Sequence, residues 1–297
     1  IEYGVNTELW SDGAHKRRWL VLPGAAKIEV QGLQAEGLIG DGRIVLPVGT
    51  ALVKHFEFEV APGVVQRLET RFLLHQIDGW RGYTYRWNDA GTDAELVPPG
   101  GEDRTFDVAA PSGSETRSWR YPSRGECLQC HTAAAGRVLG VTVPQLNRSF
   151  AYPLRTADQL GTWRFLGLFV GDPGESAQLP RFVARDDPTA SVDERVRCYL
   201  DANCSFCHRP GGTAPTTMDF RRMAPGVDLR LFGEASATAV PGGSGLRAVA
   251  GDHAQSDAWL RIGRRDGFGM PPLGSFVVDQ AFADLFAHWI DAGPTLR

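Results

Sequence analysis

Sulfur is scarce in this chain: 297 residues carry only five cysteines and three methionines. Long apolar runs are missing as well. None approaches the roughly 18 residues of a bilayer-crossing helix, so nothing reads as a helical membrane span. Charge of one sign is not in excess. Lys and Arg total 31 against 35 Asp and Glu, a net charge of −4, which gives no electrostatic case for nucleic-acid binding. No glycine-rich phosphate loop stands in a convincing context, and no serine triad has positional support. The length and the 42% hydrophobic content suffice for two domains with their own cores. The 35 glycines and 19 prolines imply many turns and long loops.

Four of the five cysteines fall in one pattern that occurs twice. Cys127-Leu128-Gln129-Cys130-His131 and Cys204-Ser205-Phe206-Cys207-His208 both read C-x-x-C-H. That is the attachment signature of a c-type haem. Each thiol can form a thioether with a haem vinyl group, and the adjacent histidine can coordinate iron from one side. The expectation is two covalently bound c-type haems, attached through Cys127, Cys130, Cys204 and Cys207, with His131 and His208 as proximal ligands. Zinc held by four thiolates, or by two with two histidines, is an alternative, and so is a disulfide framework. Neither explains a histidine directly after the second cysteine in both copies. Cys198 stands apart on an expected helix and reads as a small buried thiol.

The second motif has a partner. Met270 lies in Gly269-Met270-Pro271-Pro272-Leu273, and a thioether in a proline-flanked loop is a natural sixth ligand that raises the reduction potential. Pro210 or Pro215 is expected to offer a carbonyl to the His208 ring N–H. No Met-Pro pair follows the first motif before the second. Its sixth ligand is assigned to His75, at a strand end, with His55 as the alternative; Met218, Met223 and an open site remain. Arg124, Arg137 and Arg148 near the first motif, and Arg209, Arg264 and Arg265 near the second, are candidates to meet haem propionates.

The expected fold class is α+β: a β-rich, sandwich-like domain over 1–120, a loop-rich first haem segment over 121–185, and a helical cytochrome c-like domain over 186–297. Residues 51–60 and 64–75 read as strands around the turn Ala61-Pro62-Gly63, with 82–87 and 43–47 as further strands. Residues 98–101 and 111–114 read as loops leading out of the β-domain, and 171–188 as a linker. Thr156-Ala157-Asp158-Gln159 and Ser191-Val192-Asp193-Glu194 fit capping boxes that open helices, the first weakened by Gly161. The second helix would run into Cys204, with Val192, Val196 and Tyr199 on one face. Residues 254–263 and 279–292 read as amphipathic helices, the latter burying Phe282, Leu285, Phe286, Trp289 and Ile290 and stopping at Gly293.

Several stretches resemble a family of bacterial exported dihaem c-type cytochromes. They are Trp10-Ser11-Asp12-Gly13-Ala14-His15-Lys16-Arg17-Arg18-Trp19, Pro47-Val48-Gly49-Thr50 with Val53-Lys54, Glu69-Thr70-Arg71, Tyr85-Arg86-Trp87-Asn88 with Thr92-Asp93-Ala94, residues 127–147, Ala202-Asn203-Cys204 through Pro210, and Met270-Pro271-Pro272-Leu273-Gly274. The resemblance implies a β-rich domain joined to cytochrome modules, and it leaves the substrate open. The expected function is relay of electrons between exported redox proteins, a donor and an acceptor. The alternatives are a dihaem peroxidase or other oxidoreductase with an open first haem, and a haem-bearing subunit of a larger, membrane-associated or multi-subunit redox assembly. Haem attachment of this kind points to a periplasmic or extracellular location, compatible with a lipid anchor upstream of Ile1.

Overall fold

The structure is a computed structural model and describes residues 1–34, 37–38, 42–110, 113–222 and 229–293. Strand β1 (His15–Val21) comes first. Two short antiparallel pairs follow, β2 (Glu29–Val30) with β5 (Ile44–Val45), and β3 (Leu33–Gln34) with β4 (Gly37–Leu38). A meander then builds the main sheet from β6 (Ala51–Ala61), β7 (Val64–Gln76), β8 (Gly79–Trp87) and β9 (Ala94–Leu96). Its order is β1-β6-β7-β8-β9, all antiparallel. The β6–β7 turn falls at the expected Pro62-Gly63, where Gly63 takes a positive φ of 74°. β10 (Glu102–Ala110) and β11 (Gly113–Tyr121) form a separate hairpin.

Side-chain alternation explains how this sheet is used. Along β6, Leu52, Lys54, Phe56 and Phe58 share one face. Phe56 and Phe58 pack edge-on against Trp119 of β11, with ring centroids 5.5 and 5.3 Å apart. Leu68, Val108 and Tyr121 complete that core. The hairpin therefore covers one end of the sheet face, a partial sandwich in place of two full sheets. The reading of 111–114 as an exit loop is corrected by β11 starting at Gly113; Pro111 and Ser112 lie outside the described residues.

Leu20 and Leu52 belong to another core, together with Ile28, Val141, Leu146, Leu160, Trp163 and Phe169. That core joins the β-region to residues following the first motif. The connecting elements are α1 (Arg124–Cys130), α2 (Val143–Leu146), the pair β12 (Ser149–Ala151) and β13 (Thr156–Asp158), and α3 (Gln159–Phe165). Thr156 does not cap α3. It lies in β13, and Asp158 is the N-cap without a side-chain cap bond. The stretch read as a linker is fastened down: Asn147 Nδ2 donates to the carbonyls of Ser176, Leu179 and Pro180, and Thr7 Oγ1 donates to that of Val183.

The helical part follows its sequence pattern closely. In α4 (Val192–Cys204), Ser191 Oγ accepts from the Glu194 N–H and the Glu194 carboxylate accepts from the Ser191 N–H. Val196, Tyr199 and Leu200 are buried against α6 (Gln280–Asp291), whose Phe282, Leu285, Phe286, Trp289 and Ile290 face inward. Each such side chain, fully buried, contributes about 1.5–3 kcal/mol. Gly293 follows the C-cap with φ 69°, the left-handed stop expected there. Helix α5 (Asp257–Ile262) packs beside α6, and the Trp259 indole N–H donates to the Ala283 carbonyl. Cys198 is buried, as expected. Together the antiparallel N-terminal sheet and these helices make the chain α+β.

Candidate functional site: a cavity walled by both C-x-x-C-H segments

Each motif is delivered by a capped helix. Helix α4 ends at Cys204, so the remaining motif residues follow its last turn. Helix α1 ends at Cys130 and opens with a second reciprocal capping box, Ser123 with Glu126. The first motif therefore lies on a helix and not in a loop. Arg120 pairs with Glu126 at 3.0 Å and ties the start of α1 to β11.

A cavity of about 790 Å³ lies between the sheet face and the helical part, and all six motif donors line it: Cys127, Cys130, His131, Cys204, Cys207 and His208. That volume is in the range of cofactor-sized sites, about 300–1,000 Å³. The motifs also touch. Arg209 Nη1 donates to the Ala134 carbonyl at 3.2 Å, and Thr213 Oγ1 reaches the Gln129 carbonyl at 3.5 Å. The Cys130 thiol donates a hydrogen bond to Cys207 sulfur, which lowers the Cys207 pKa and raises that of Cys130. Burial raises Cys127 and pushes Cys204 up to about 12. Gly212 is required just after the second motif, because a Cβ there would meet the Cys207 carbonyl oxygen at 2.1 Å.

The two histidines differ in how they are held. His131 Nδ1 bonds the Arg137 carbonyl at 2.5 Å. That acceptor fixes the Nδ1–H tautomer and leaves the Nε2 lone pair free, as metal-ligating histidines require. His208 Nδ1 is buried with no hydrogen-bond partner among the described residues, so the expected carbonyl from Pro210 or Pro215 is not supplied. His208 is instead steadied by the Phe220 ring, centroids 5.1 Å apart, and by the Phe220 N–H donating to its carbonyl at 3.0 Å. Burial lowers both imidazoles to about 4, so both are neutral near pH 7.

Met270 lines the same cavity. Its loop is pinned from α5 and beyond: the Met270 N–H donates to the Arg261 carbonyl at 2.9 Å, and Arg265 Nη1 donates to the Met270 carbonyl at 3.1 Å. Gly269 is fixed by crowding, since a Cβ would lie 2.5 Å from the Arg264 carbonyl oxygen. Met218 also lines the cavity and packs on the helical core. Met223 lies outside the described residues.

His75 and His55 are not among the residues lining the cavity. His75 stacks on Trp80 at 4.3 Å and bonds the Leu46 carbonyl through Nδ1. His55 is on the opposite sheet face from Lys54, bonded to Thr70 Oγ1 at 2.8 Å with Glu57 at 3.5 Å. Strand alternation turns His55 away from the side that Lys54, Arg71 and Gly82 present to the cavity. Of the six arginines singled out near the motifs, Arg265 lines the cavity; Arg120 and Arg261 do so from positions near the motifs that were not singled out, and Arg71 and Arg247 do so from far along the chain.

The N-terminal signature has a role that its residues alone do not announce. The Asp12 carboxylate accepts from Ser275 Oγ and from the N–H groups of Phe276 and Val277, holding the chain just past the Met270 loop. The Trp10 N–H donates to Asn203 Oδ1, next to Cys204, and its indole N–H donates to the Val277 carbonyl. Asp12 sits at φ 52° and is buried. Trp10 and Asp12 thus clamp the second motif and the methionine loop to the β-region.

The donor set fits covalent haem. Five free cysteines leave both motif pairs available for thioethers; the histidines are neutral, and a thioether shares the cavity. Zinc fits worse: among the described residues no three His, Cys, Asp or Glu side chains are grouped to hold an ion, whereas haem iron needs one or two protein ligands. Comparison with protein-family models, curated proteins and solved structures returned no match.

Proposed function

We propose that the protein is a dihaem c-type cytochrome that relays single electrons between redox proteins outside the cytoplasm. The observation that carries this reading is the convergence of both C-x-x-C-H segments, with Met270, on one cavity. Bound haem supplies one-electron chemistry at an iron whose potential the axial ligands and burial tune. The chain's own residues do the rest. Cys127, Cys130, Cys204 and Cys207 would hold the haems through thioethers, S–H adding across a vinyl double bond, which would consume no oxidant. His131 and His208 offer neutral imidazoles, and Met270 offers a soft thioether to the second iron. Arg71, Arg120, Arg247, Arg261 and Arg265 provide permanent cations for anionic propionates. The contact between the two motifs favours exchange of electrons inside one chain, which suits a relay.

The test is a haem stain of the exported, purified protein after denaturation, with iron counted per chain. Two covalent haems are expected; zinc in place of covalent haem would sink the proposal. A peroxidase or other catalyst needs an iron with an exchangeable site, so cyanide and peroxide should leave the spectrum of the resting protein unchanged.

A further inference from the structure

On the sheet face that walls the cavity, β1, β6 and β7 place three cations in one row. Arg18 pairs in register with Lys54, and Lys54 with Arg71. The outer two have carboxylates. Arg18 lies 3.6 Å from Glu8, and Arg71 lies 2.5 Å from the buried Glu69. Lys16, next along β1 on the same side, takes Glu8 at 3.3 Å. Lys54 has no ion pair or hydrogen bond among the described residues; its contact is the Phe56 ring, 5.0 Å from Nζ. It lines the same cavity as His131.

A half-buried cation flanked by two guanidiniums, without a carboxylate in ion-pair contact, is unfavourable. Two partners from the cavity could relieve it: a propionate, which would keep the ammonium, or iron, which would take the neutral amine. Propionates are better served by Arg247, Arg261 and Arg265, which line the cavity, have no ion pair among the described residues and cannot lose their charge. Burial, joined by repulsion from Arg18, Lys16 and Arg71, acts in the other direction on Lys54 and favours the uncharged amine, a nitrogen donor with a free lone pair.

We propose that Lys54 is the sixth ligand of the iron held by Cys127, Cys130 and His131. This rests on the dihaem reading above. It gives the first centre a nitrogen–nitrogen pair and the second a nitrogen–sulfur pair, without recourse to His75 or His55. A basic amine places the first iron at a lower potential than the His208/Met270 centre, so the two centres form an ordered step for the electron.

The experiment compares holoprotein carrying Lys54→Ala, Lys54→Arg and Lys54→Met with wild type. Haem stain and iron per chain are read first, then electron paramagnetic resonance and near-infrared spectra, then cyanide titration. All variants should keep two covalent haems. Lys54→Ala and Lys54→Arg should each lose about half of the low-spin signal and gain about one cyanide site per chain, because a guanidinium does not coordinate iron. Lys54→Met keeps an unbranched chain in the cavity and guards against a folding defect. It should show a second His/Met charge-transfer band or the same open site. A wild-type spectrum in Lys54→Arg, with a change in Lys54→Ala alone, would assign Lys54 to charge and overturn the ligand role. Unchanged spectra in all three would overturn it too. Absence of covalent haem from the wild type would instead remove the dihaem reading itself.

Discussion

The two C-x-x-C-H regions differ less in how they are built than in what surrounds them. Both cap their helices with the same reciprocal Ser–Glu box, Ser123/Glu126 and Ser191/Glu194. Their settings then diverge. The second sits against the core built around α4, α5 and α6 and faces a methionine loop. The first sits against a β-sheet face that carries Lys54 and Arg71. The same local device thus delivers equivalent donors into unequal halves of one cavity. Fold context, and not the motif, separates the two segments.

The sharpest test removes one centre at a time. Cys127→Ala with Cys130→Ala should lose about half of the covalent haem per chain, and so should Cys204→Ala with Cys207→Ala, measured by haem stain and iron content. A double substitution that leaves both haems in place would break the comparison. Next in size is Met270→Ala. It should abolish the His/Met charge-transfer band and lower the potential of one centre only, read by spectroscopic redox titration. Loss of signal from both centres would mean that the cavity halves are not independent.

A smaller effect tests the clamp. Asp12→Ala removes a buried carboxylate that accepts from two backbone N–H groups and one hydroxyl. A loss of about 2–3 kcal/mol is expected in denaturant unfolding, with the Met270 band weakened and the first centre's spectrum intact. The smallest effect compares the caps. Ser123→Ala and Ser191→Ala should each cost about 1 kcal/mol by the same measurement. A cost confined to Ser191→Ala would show that the first box is redundant, its helix being held through Arg120 and Glu126 alone.

What was legible in the sequence was local. The β6–β7 hairpin was readable because β-branched and aromatic runs flank a Pro-Gly turn. Helix α4 was readable because a capping box and a 3.6-residue apolar pattern agree, and α6 because its apolar pattern runs to the glycine stop at Gly293. Some local signals were present and overridden. Ser123-Arg124-Gly125-Glu126 is a capping box, but Pro122 and Gly125 give its surroundings the look of a loop. Thr156-Ala157-Asp158-Gln159 has the box pattern, yet pairing with β12 draws Thr156 into a strand. The β10–β11 hairpin was hidden by its polar composition: its inward apolar positions are few, Phe106 and Val108 on one strand and Trp119 and Tyr121 on the other.

The sequence by itself determined the chemistry on offer: four thiols in two pairs, a histidine fixed beside each, one methionine in a proline-flanked loop, and the helix that leads to Cys204. These depend on neighbours within a few residues, and covalent spacing carries them. Only the tertiary structure decided that the motifs share one cavity, that Asp12 and Trp10 clamp the methionine loop, that His75 and His55 lie off the cavity wall, and that Lys54 stands on it without an ion pair among the described residues. Those facts depend on strand register and on which face of the sheet a helix covers. Register is set by the packing of whole elements, and a one-residue slip would turn Lys54 away from the cavity and His55 toward it.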